Sequence, residues 1–188
     1  GGSTIIRTWT ATDNCGNSTT ATQTITITDG NPLVLNGVLP NVTVECKQIP
    51  VAPTVTATGG CSTPVVTFKE DKKDGNCADN YTITRTWTAT DTKTGKTATA
   101  VQVITVQDTK APVLAGIPAD ATADCKSVPA AANPTATDNC DDKVEITLKE
   151  DKKAGSCADT YTLIRTWTAT DNCGNTTTGV QKIEIGRA

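Results

Sequence analysis

Tyr161-Thr162-Leu163-Ile164-Arg165-Thr166-Trp167-Thr168-Ala169-Thr170-Asp171 reads as one long β-strand. Side chains alternate across a strand with period two. Tyr161, Leu163, Arg165, Trp167 and Ala169 therefore share one face, and Thr162, Ile164, Thr166, Thr168 and Thr170 share the other. The face that carries Trp167 is the one that gains by leaving water, so it is assigned to a core. Arg165 then lies on the inward side beside Trp167. Its apolar stem can shelve against the ring while the guanidinium reaches the rim, where Glu150 is the expected partner.

The end of this strand is a phrase used three times. Arg7-Thr8-Trp9-Thr10-Ala11-Thr12-Asp13 returns unchanged as Arg85 to Asp91 and as Arg165 to Asp171, at spacings of 78 and 80 residues. A unit of about 80 residues is being copied in tandem. The organisation expected is a closing hairpin over 1–29, a whole module over 30–108 and another over 109–188. The seams Asp29-Gly30-Asn31-Pro32 and Asp108-Thr109-Lys110-Ala111-Pro112 are short turn sequences whose Pro ends strand pairing. Linkers this short predict a semi-stiff connection.

In the last module the strands are placed near Val113 to Cys125 (broken around Ile117-Pro118), Thr135 to Asn139, Val144 to Lys149, Thr160 to Asp171 and Thr176 to Ile185. Val144, Ile146 and Leu148 alternate inward, and Glu150 to Gly155 reads as a polar loop. Short alternating runs between turn signals are the pattern of a β-sandwich. The fold class expected is all-β, as tandem immunoglobulin-like sandwiches, and no segment shows helical periodicity.

Composition agrees. Thr supplies about a fifth of the 188 residues, against one Phe, two Tyr, three Trp and no Met. Thr is β-branched and its hydroxyl tolerates water, which suits thin sheets with wet outer faces. A unit of this size buries only roughly 60–65 % of its unfolded surface, so it needs staples. Net charge is −3, which argues against nucleic acid and against an anionic membrane surface. No run approaches the ~20 apolar residues of a spanning helix. The chain opens at Gly1-Gly2 inside a repeat with no initiator Met, so it is read as a piece of something longer, with any export signal or anchor outside it.

Eight Cys in a core-poor β chain point to an oxidising compartment and to disulfides. Zinc is disfavoured, since the chain has no CxxC and no His. In the last module the cysteines are Cys125, Cys140, Cys157 and Cys173. Cys157 and Cys173 bracket the long strand, and at about 3.3 Å per residue they are too far apart to bond. Cys125 and Cys157 are assigned to one end of the sandwich, Cys140 and Cys173 to the other. The expected pairs are Cys125–Cys157, Cys140–Cys173 and, in the middle module, Cys46–Cys77. That module has Thr92-Lys93-Thr94-Gly95 where the fourth Cys would stand, which leaves Cys61 unpaired. Cys15 is the fourth Cys of the truncated first unit, and Cys15 and Cys61 are either unpaired or joined to another chain or another module.

The phrase Thr168-Ala169-Thr170-Asp171-Asn172-Cys173-Gly174-Asn175 and the seam Asp108-Thr109-Lys110-Ala111-Pro112 resemble the signature of hyalin-repeat (HYR) modules. The form with four Cys is similar to the HYR-like repeats of very long surface proteins of Bacteroidetes, including gliding-motility adhesins and other type IX secretion cargo. The resemblance covers the whole chain and implies an immunoglobulin-like fold and an extracellular, cell-surface setting. The middle module departs from it by lacking the fourth Cys.

The only candidate ion site is acidic. Asp138 and Asp141 lie in one loop with Asn139 and Asp142, Asp171 lies in the adjacent turn with Asn172, and Asp108 lies at the seam. If the loops share one end, Asp108, Asp138, Asp141 and Asp171 could converge on calcium, which takes six to eight hard oxygen ligands. The competing reading is that Asp and Asn are good turn formers. The first seam is poorer, with Asp29 and Asp91 but Gly59-Gly60 in place of the Asp-Asn pair. The mixed-charge runs Lys69 to Asp74 and Lys149 to Lys153 read as solvated arms. The sequons at Asn17, Asn41, Asn80 and Asn175 come cheaply in a Thr-rich chain, and no glycan is assigned.

No catalytic residue is assigned. A Ser/His/Asp set is impossible without His, a catalytic thiol would lack its base, and no phosphate-cradling Gly loop occurs. The function expected is a repetitive stalk segment of a secreted or cell-surface bacterial adhesin, with a load-bearing and spacer role, no enzyme activity and neighbouring modules as partners. Two alternatives stand beside it: a filament subunit that self-associates by strand complementation, and a module whose loops bind a surface glycan or protein.

Overall fold

The structure, a computed structural model, describes residues 3–27, 30–157 and 160–186. Thr28 and Asp29, placed above at the end of the first hairpin and its seam, lie outside the described residues. The fold is all-β, and no helix occurs among the described residues. Strand order follows the repeats. β1 (Ser3–Thr12) and β2 (Ser18–Ile27) form a hairpin. β3 (Val34–Asn36), β4 (Val42–Glu45), β5 (Thr56–Thr58), β6 (Val65–Asp74), β7 (Tyr81–Thr90) and β8 (Thr97–Gln107) form repeat 2. β9 (Val113–Ala115), β10 (Ala121–Asp124), β11 (Thr135–Thr137), β12 (Glu145–Ala154), β13 (Tyr161–Thr170) and β14 (Thr176–Gly186) form repeat 3.

Repeats 2 and 3 are built alike. Each has a four-stranded sheet, β4-β8-β7-β6 or β10-β14-β13-β12, and a two-stranded sheet, β3-β5 or β9-β11. The first strand switches sheets at its break. β9 pairs antiparallel with β11, then β10 pairs parallel with β14. The break expected at Ile117-Pro118 is therefore the crossing point. It is tied down by buried Gln181, whose Nε2 donates to the Ala119 carbonyl at 2.9 Å, while Lys182 N donates to Asp120 Oδ1 at 2.8 Å. Repeat 2 repeats both bonds through Gln102 with Pro40 and Val103 with Asn41.

The chain divides into two compact units. One holds Gly1–Pro40, Ala52–Glu70 and Arg85–Gln102; the other holds Asn41–Val51, Asp71–Thr84 and Val103–Ala188. In the first unit Trp87 and Ala89 are buried, and Phe68 packs its ring 5.2 Å from that of Trp87. The hairpin β1–β2 carries the same phrase without a core: Trp9 is 54 % exposed. In the second unit Ile83, Ile104 and Val106 make one cluster, and Leu163, Ile183 and Ile185 make another, joined by half-buried Tyr161, Ala123 and Val128.

The long strand is placed as its alternation requires, with Leu163, Arg165, Trp167 and Ala169 buried. Trp167 faces Gly179 across the ladder, and a Cβ on Gly179 would meet Ile117 Cγ1 at 2.7 Å. The missing side chain is the room that Ile117 fills. Two features of β12 differ from expectation. Glu150 to Ala154 is strand, not loop, because β13 is long enough to pair with all of it. Leu148 lies inward, opposite Trp167, yet it stays 43 % exposed, because the three-residue strands of the second sheet do not cover it.

Arg165 reaches Glu150 as expected, with Nε to Oε1 at 2.7 Å, and its other nitrogens donate to the carbonyls of Pro129 and Ala130. Arg85 and Glu70 repeat the pair at 2.7 Å. A buried cation with matched acceptors is costly to strip of one partner. Glu150→Gln is therefore expected to destabilise mildly, because Glu150 is half exposed. Arg165→Ala, which removes a buried side chain together with its bonds to the Pro129 and Ala130 carbonyls and opens a cavity beside Trp167, should cost about 3 kcal/mol in urea unfolding. Equal losses would show that the charge, not the carbonyl bonds, holds this position.

Candidate functional site at the seam between repeats 2 and 3

The aspartate that ends each repeated phrase is a turn clip. Asp171 Oδ1 accepts Cys173 N and Asn175 N, both at 2.9 Å, and its Oδ2 accepts Asn175 Nδ2 at 2.8 Å. Asp13 makes the same three bonds with Cys15 and Asn17, and the Asn17 amide leads the causes that lower its pKa. The sequon asparagines Asn17 and Asn175 are thus parts of turns. Asp138 clips the other loop, where its Oδ1 accepts Cys140 N at 2.8 Å and Asp141 N at 3.0 Å. These clips aim Cys140 and Cys173 out of one end of repeat 3.

The disulfides depart from expectation. Cys46 bonds Cys140, with Cα atoms 5.7 Å apart, and Cys77 bonds Cys173, with Cα atoms 5.1 Å apart. Both bonds cross the seam. The expected pairs Cys46–Cys77, Cys140–Cys173 and Cys125–Cys157 do not form, and Cys15, Cys61, Cys125 and Cys157 are free and exposed. Cys46 and Cys77 of repeat 2 both reach repeat 3, and Cys140 and Cys173 of repeat 3 both reach repeat 2. Sharing an end is not the same as pointing at each other. Each of these four cysteines finds its partner in the neighbouring repeat.

Polar contacts reinforce the seam. Asn172 Nδ2 donates to Asp79 Oδ2 at 2.6 Å, and Asn175 Nδ2 to the Asp108 carbonyl at 3.3 Å. Thr109 Oγ1 donates to Glu45 Oε1 at 2.8 Å, and Asp108 N to Asn80 Oδ1 at 2.7 Å. Asn80, a third sequon residue, is thereby engaged in the seam.

Three carboxylates meet inside this joint. Asp108, Asp138 and Asp171 each place an oxygen within 4.8 Å of the others. Asp141 does not join them, since its Oδ2 accepts Asn172 N at 2.9 Å and its Oδ1 accepts Lys143 N at 2.8 Å. Glu45, Asp108 and Cys140 also come together, but the Cys140 sulfur is in a disulfide and is no thiolate ligand. Asp108 is 4 % exposed, and its Oδ2 and that of Asp138 are buried without a hydrogen-bond partner. Burial, then the charges of Asp138, Asp171 and Glu45, push the Asp108 carboxyl pKa up. Burial also acts to raise Asp138, but the backbone N–H groups of Asp141, Cys140 and Asn139 together with Lys47 outweigh it and its pKa is lowered. Buried carboxylate oxygens without donors are expensive, and either a proton or a hard cation can offset that cost.

Repeat 2 meets the same need with protein donors. Its turn aspartate, Asp91, is fully buried and accepts Ser62 Oγ, the N–H groups of Cys61 and Lys93, and that of Thr94. The Ser62 hydroxyl, then the Cys61 amide, hold its carboxyl far below the usual range. The stability this gives is present at neutral pH and is lost as pH falls into the acid range. Gly59 stands where Asp138 stands in repeat 3; its φ is +95°, and a Cβ there would lie 1.9 Å from the Pro32 carbonyl oxygen. No acidic side chain fits there, so among the described residues the triad occurs only at the second seam. Composition alone could separate the two loops, but not show that Ser62 donates to Asp91.

Residues 114–185 match the family described as "HYR-like domain with 4 cysteines". No curated protein matches the chain. Among solved structures, Drosophila N-cadherin EC1-4 is similar at 15 % identity, covering 97 % of this chain and 58 % of that one, with a TM-score of 0.32. The protocadherin GammaB4 extracellular domain is similar at 13 % identity, covering 98 % of this chain and 37 % of that one, with a TM-score of 0.38. Mouse clustered PcdhgC3 EC1-3 is similar at 14 % identity, covering 100 % and 77 %, with a TM-score of 0.40. The chain thus spans less than two thirds of the first two. No helix among the described residues is long and apolar enough to cross a membrane. The four-cysteine family match and the disulfides suggest an extracellular, adhesion-type module.

Proposed function

We propose that the chain is a load-bearing spacer segment of a long bacterial cell-surface adhesin, in which successive HYR-like repeats, 30–108 and 109–188, are locked to one another at their seams. The observation that carries this reading is the pair of disulfides that joins repeats 2 and 3 rather than closing either one. A catalytic or ligand-reading module needs no covalent bond to its neighbour. In a chain under tension, two bonds across one seam limit how far the repeats can separate and how much chain can pay out.

Calcium is the third element of the lock. Asp108, Asp138 and Asp171 would hold it, with water completing the shell, and the Asp108 and Asp138 oxygens that now lack donors would be satisfied. Calcium at a hundred times its dissociation constant should stabilise the folded chain by about 2.7 kcal/mol. The expected result is a saturable rise in the thermal unfolding temperature with calcium, reversed by chelator. Asp108→Asn should abolish the rise, while Asp141→Asn should leave it in place. A chain indifferent to calcium would remove the ion from the lock and leave the disulfides as its basis.

The filament reading is favoured by one observation, the hairpin β1–β2, whose Ile5, Ile6, Trp9 and Ile27 are exposed. A lone hairpin is marginal in water, and strand addition from another copy would cover it. A purified chain that sediments as a monomer at all concentrations would eliminate that reading.

A further inference from the structure

The free cysteines of repeat 3 stand where the bonded cysteines of repeat 2 stand, and in the same local geometry. At the first position, the turn after Glu45 that presents Cys46 is closed by Gln48 N to the Glu45 carbonyl at 2.9 Å; the turn that presents Cys125 is closed by Ser127 N to the Asp124 carbonyl at 3.0 Å. At the third position, Gly75 N bonds the Asn80 carbonyl at 2.8 Å and Asn80 N bonds the Cys77 carbonyl at 3.2 Å. Around Cys157 the matching bonds are Gly155 N to Thr160 at 2.9 Å and Thr160 N to Cys157 at 3.1 Å. The parallel pairing that carries each first cysteine is also in register, Glu45 with Gln107 and Asp124 with Gly186. Between the two rims of repeat 3 lies a cleft of about 570 Å³ lined by Asp124, Ser156, Tyr161 and Ile185. The same cleft in repeat 2, with repeat 3 stapled beside it, measures about 260 Å³.

We infer that this end of repeat 3 is a two-thiol docking site whose occupant is a further four-cysteine repeat joined in tandem, captured by Cys125 bonding that repeat's second cysteine and Cys157 its fourth. The inference rests on the stapled-seam reading above and extends it to a rule: first cysteine to the second of the next repeat, third to the fourth. The rule assigns every cysteine of the chain. Cys61, held by its N–H to Asp91, is a second-position cysteine and takes the first cysteine of a preceding repeat. Cys15, held by the Asp13 clip, is a fourth-position cysteine and takes a third. The loss of the fourth cysteine at Thr92-Lys93 makes the seam before repeat 2 a single-bonded one.

Each bond forms by thiol–disulfide exchange with an oxidised thiol carrier such as glutathione disulfide. One thiolate forms a mixed disulfide and expels a glutathione thiolate; the partner thiolate then attacks and expels the second. The protein pair gives up two electrons and two protons, and one glutathione disulfide becomes two glutathione thiols.

The test extends the full chain by joining Gly186 to a second copy of residues 108–188, oxidises it in glutathione buffer and maps disulfides by mass spectrometry without reduction. The expected products are peptides linking Cys125 to the added copy's second cysteine and Cys157 to its fourth, alongside Cys46–Cys140 and Cys77–Cys173. Cys125→Ser should delete the first new link and leave the second. Bonds at the original seam with Cys125 and Cys157 bonded to each other, or still open to alkylation, would overturn the docking site while leaving the stapled seam intact. Absence of the original bonds would defeat the stapled seam itself, and the docking site with it. The unextended chain, oxidised in parallel, should form no bond between copies other than Cys125 to Cys61 or Cys157 to Cys15, which follow the same rule; Cys125–Cys125 or Cys157–Cys157 dimers would overturn the tandem occupant.

Discussion

Reduction of the oxidised chain should lengthen its fully stretched form by roughly 300 Å, since a disulfide between residues 94 or 96 apart hides that much chain at about 3.3 Å per residue. A single-molecule pull from the two ends reads this directly. In the oxidised chain the tension path jumps from Cys46 to Cys140, or from Cys77 to Cys173, and the chain between cannot pay out whatever unfolds. Serine at Cys46 and Cys77 together should give the long extension without reductant. Either substitution alone should give nearly the short one, because the remaining bond hides almost the same length. In equilibrium unfolding, closing a loop of this size is worth about 4–5 kcal/mol on the chain-entropy account. Each bond shortens the loop that the other closes, so single losses should fall below that figure. Bonds within repeats, such as Cys46–Cys77, would hide about a third of that length in each repeat, and release in such shorter steps would refute a stapled seam.

The strand pattern was legible because it depends on local alternation. Tyr161 to Thr170 declares its inward face residue by residue, and the structure buries those residues. The break at Ile117-Pro118 was legible from the proline, although not that it marks a change of sheet. What stayed hidden depends on what lies opposite. Leu148 alternates correctly, yet it is exposed because the second sheet is only two short strands wide. Glu150 to Ala154 has a loop's composition and became strand because β13 offers it a ladder. The disulfides depend on the same thing: position within a repeat says nothing of what a neighbouring repeat presents to Cys46, Cys77, Cys140 and Cys173, and that is where their partners are. The acidic oxygens were legible as a group of turn residues. Only geometry separates Asp108, Asp138 and Asp171, which face one another, from Asp141, which is spent on Asn172 and Lys143.

Trp167→Ala is expected to cost about 3–5 kcal/mol, the usual range for truncating a fully buried aromatic, while Trp9→Ala should cost less than about 0.5 kcal/mol. The two residues occupy the same place in an identical seven-residue phrase, so local propensity, strand length and turn chemistry cancel in the comparison. What remains is coverage. Trp167 is 1 % exposed and packs beneath the space that Gly179 leaves to Ile117; Trp9 is 54 % exposed on a two-stranded hairpin. Trp87, at 2 % exposure with Phe68 against its ring, should behave like Trp167. Urea unfolding of the three variants, each oxidised so that the seam is constant, measures the contrast. Gly179→Ala supplies a second reading of the same contact. Its methyl would press on Ile117, and pairing it with Ile117→Val should recover much of the loss, because repeat 2 carries Ala100 and Val38 at the corresponding places. Three equal tryptophan losses would mean that the phrase stabilises the chain through its own strand and turn, and that the second sheet contributes little to the core.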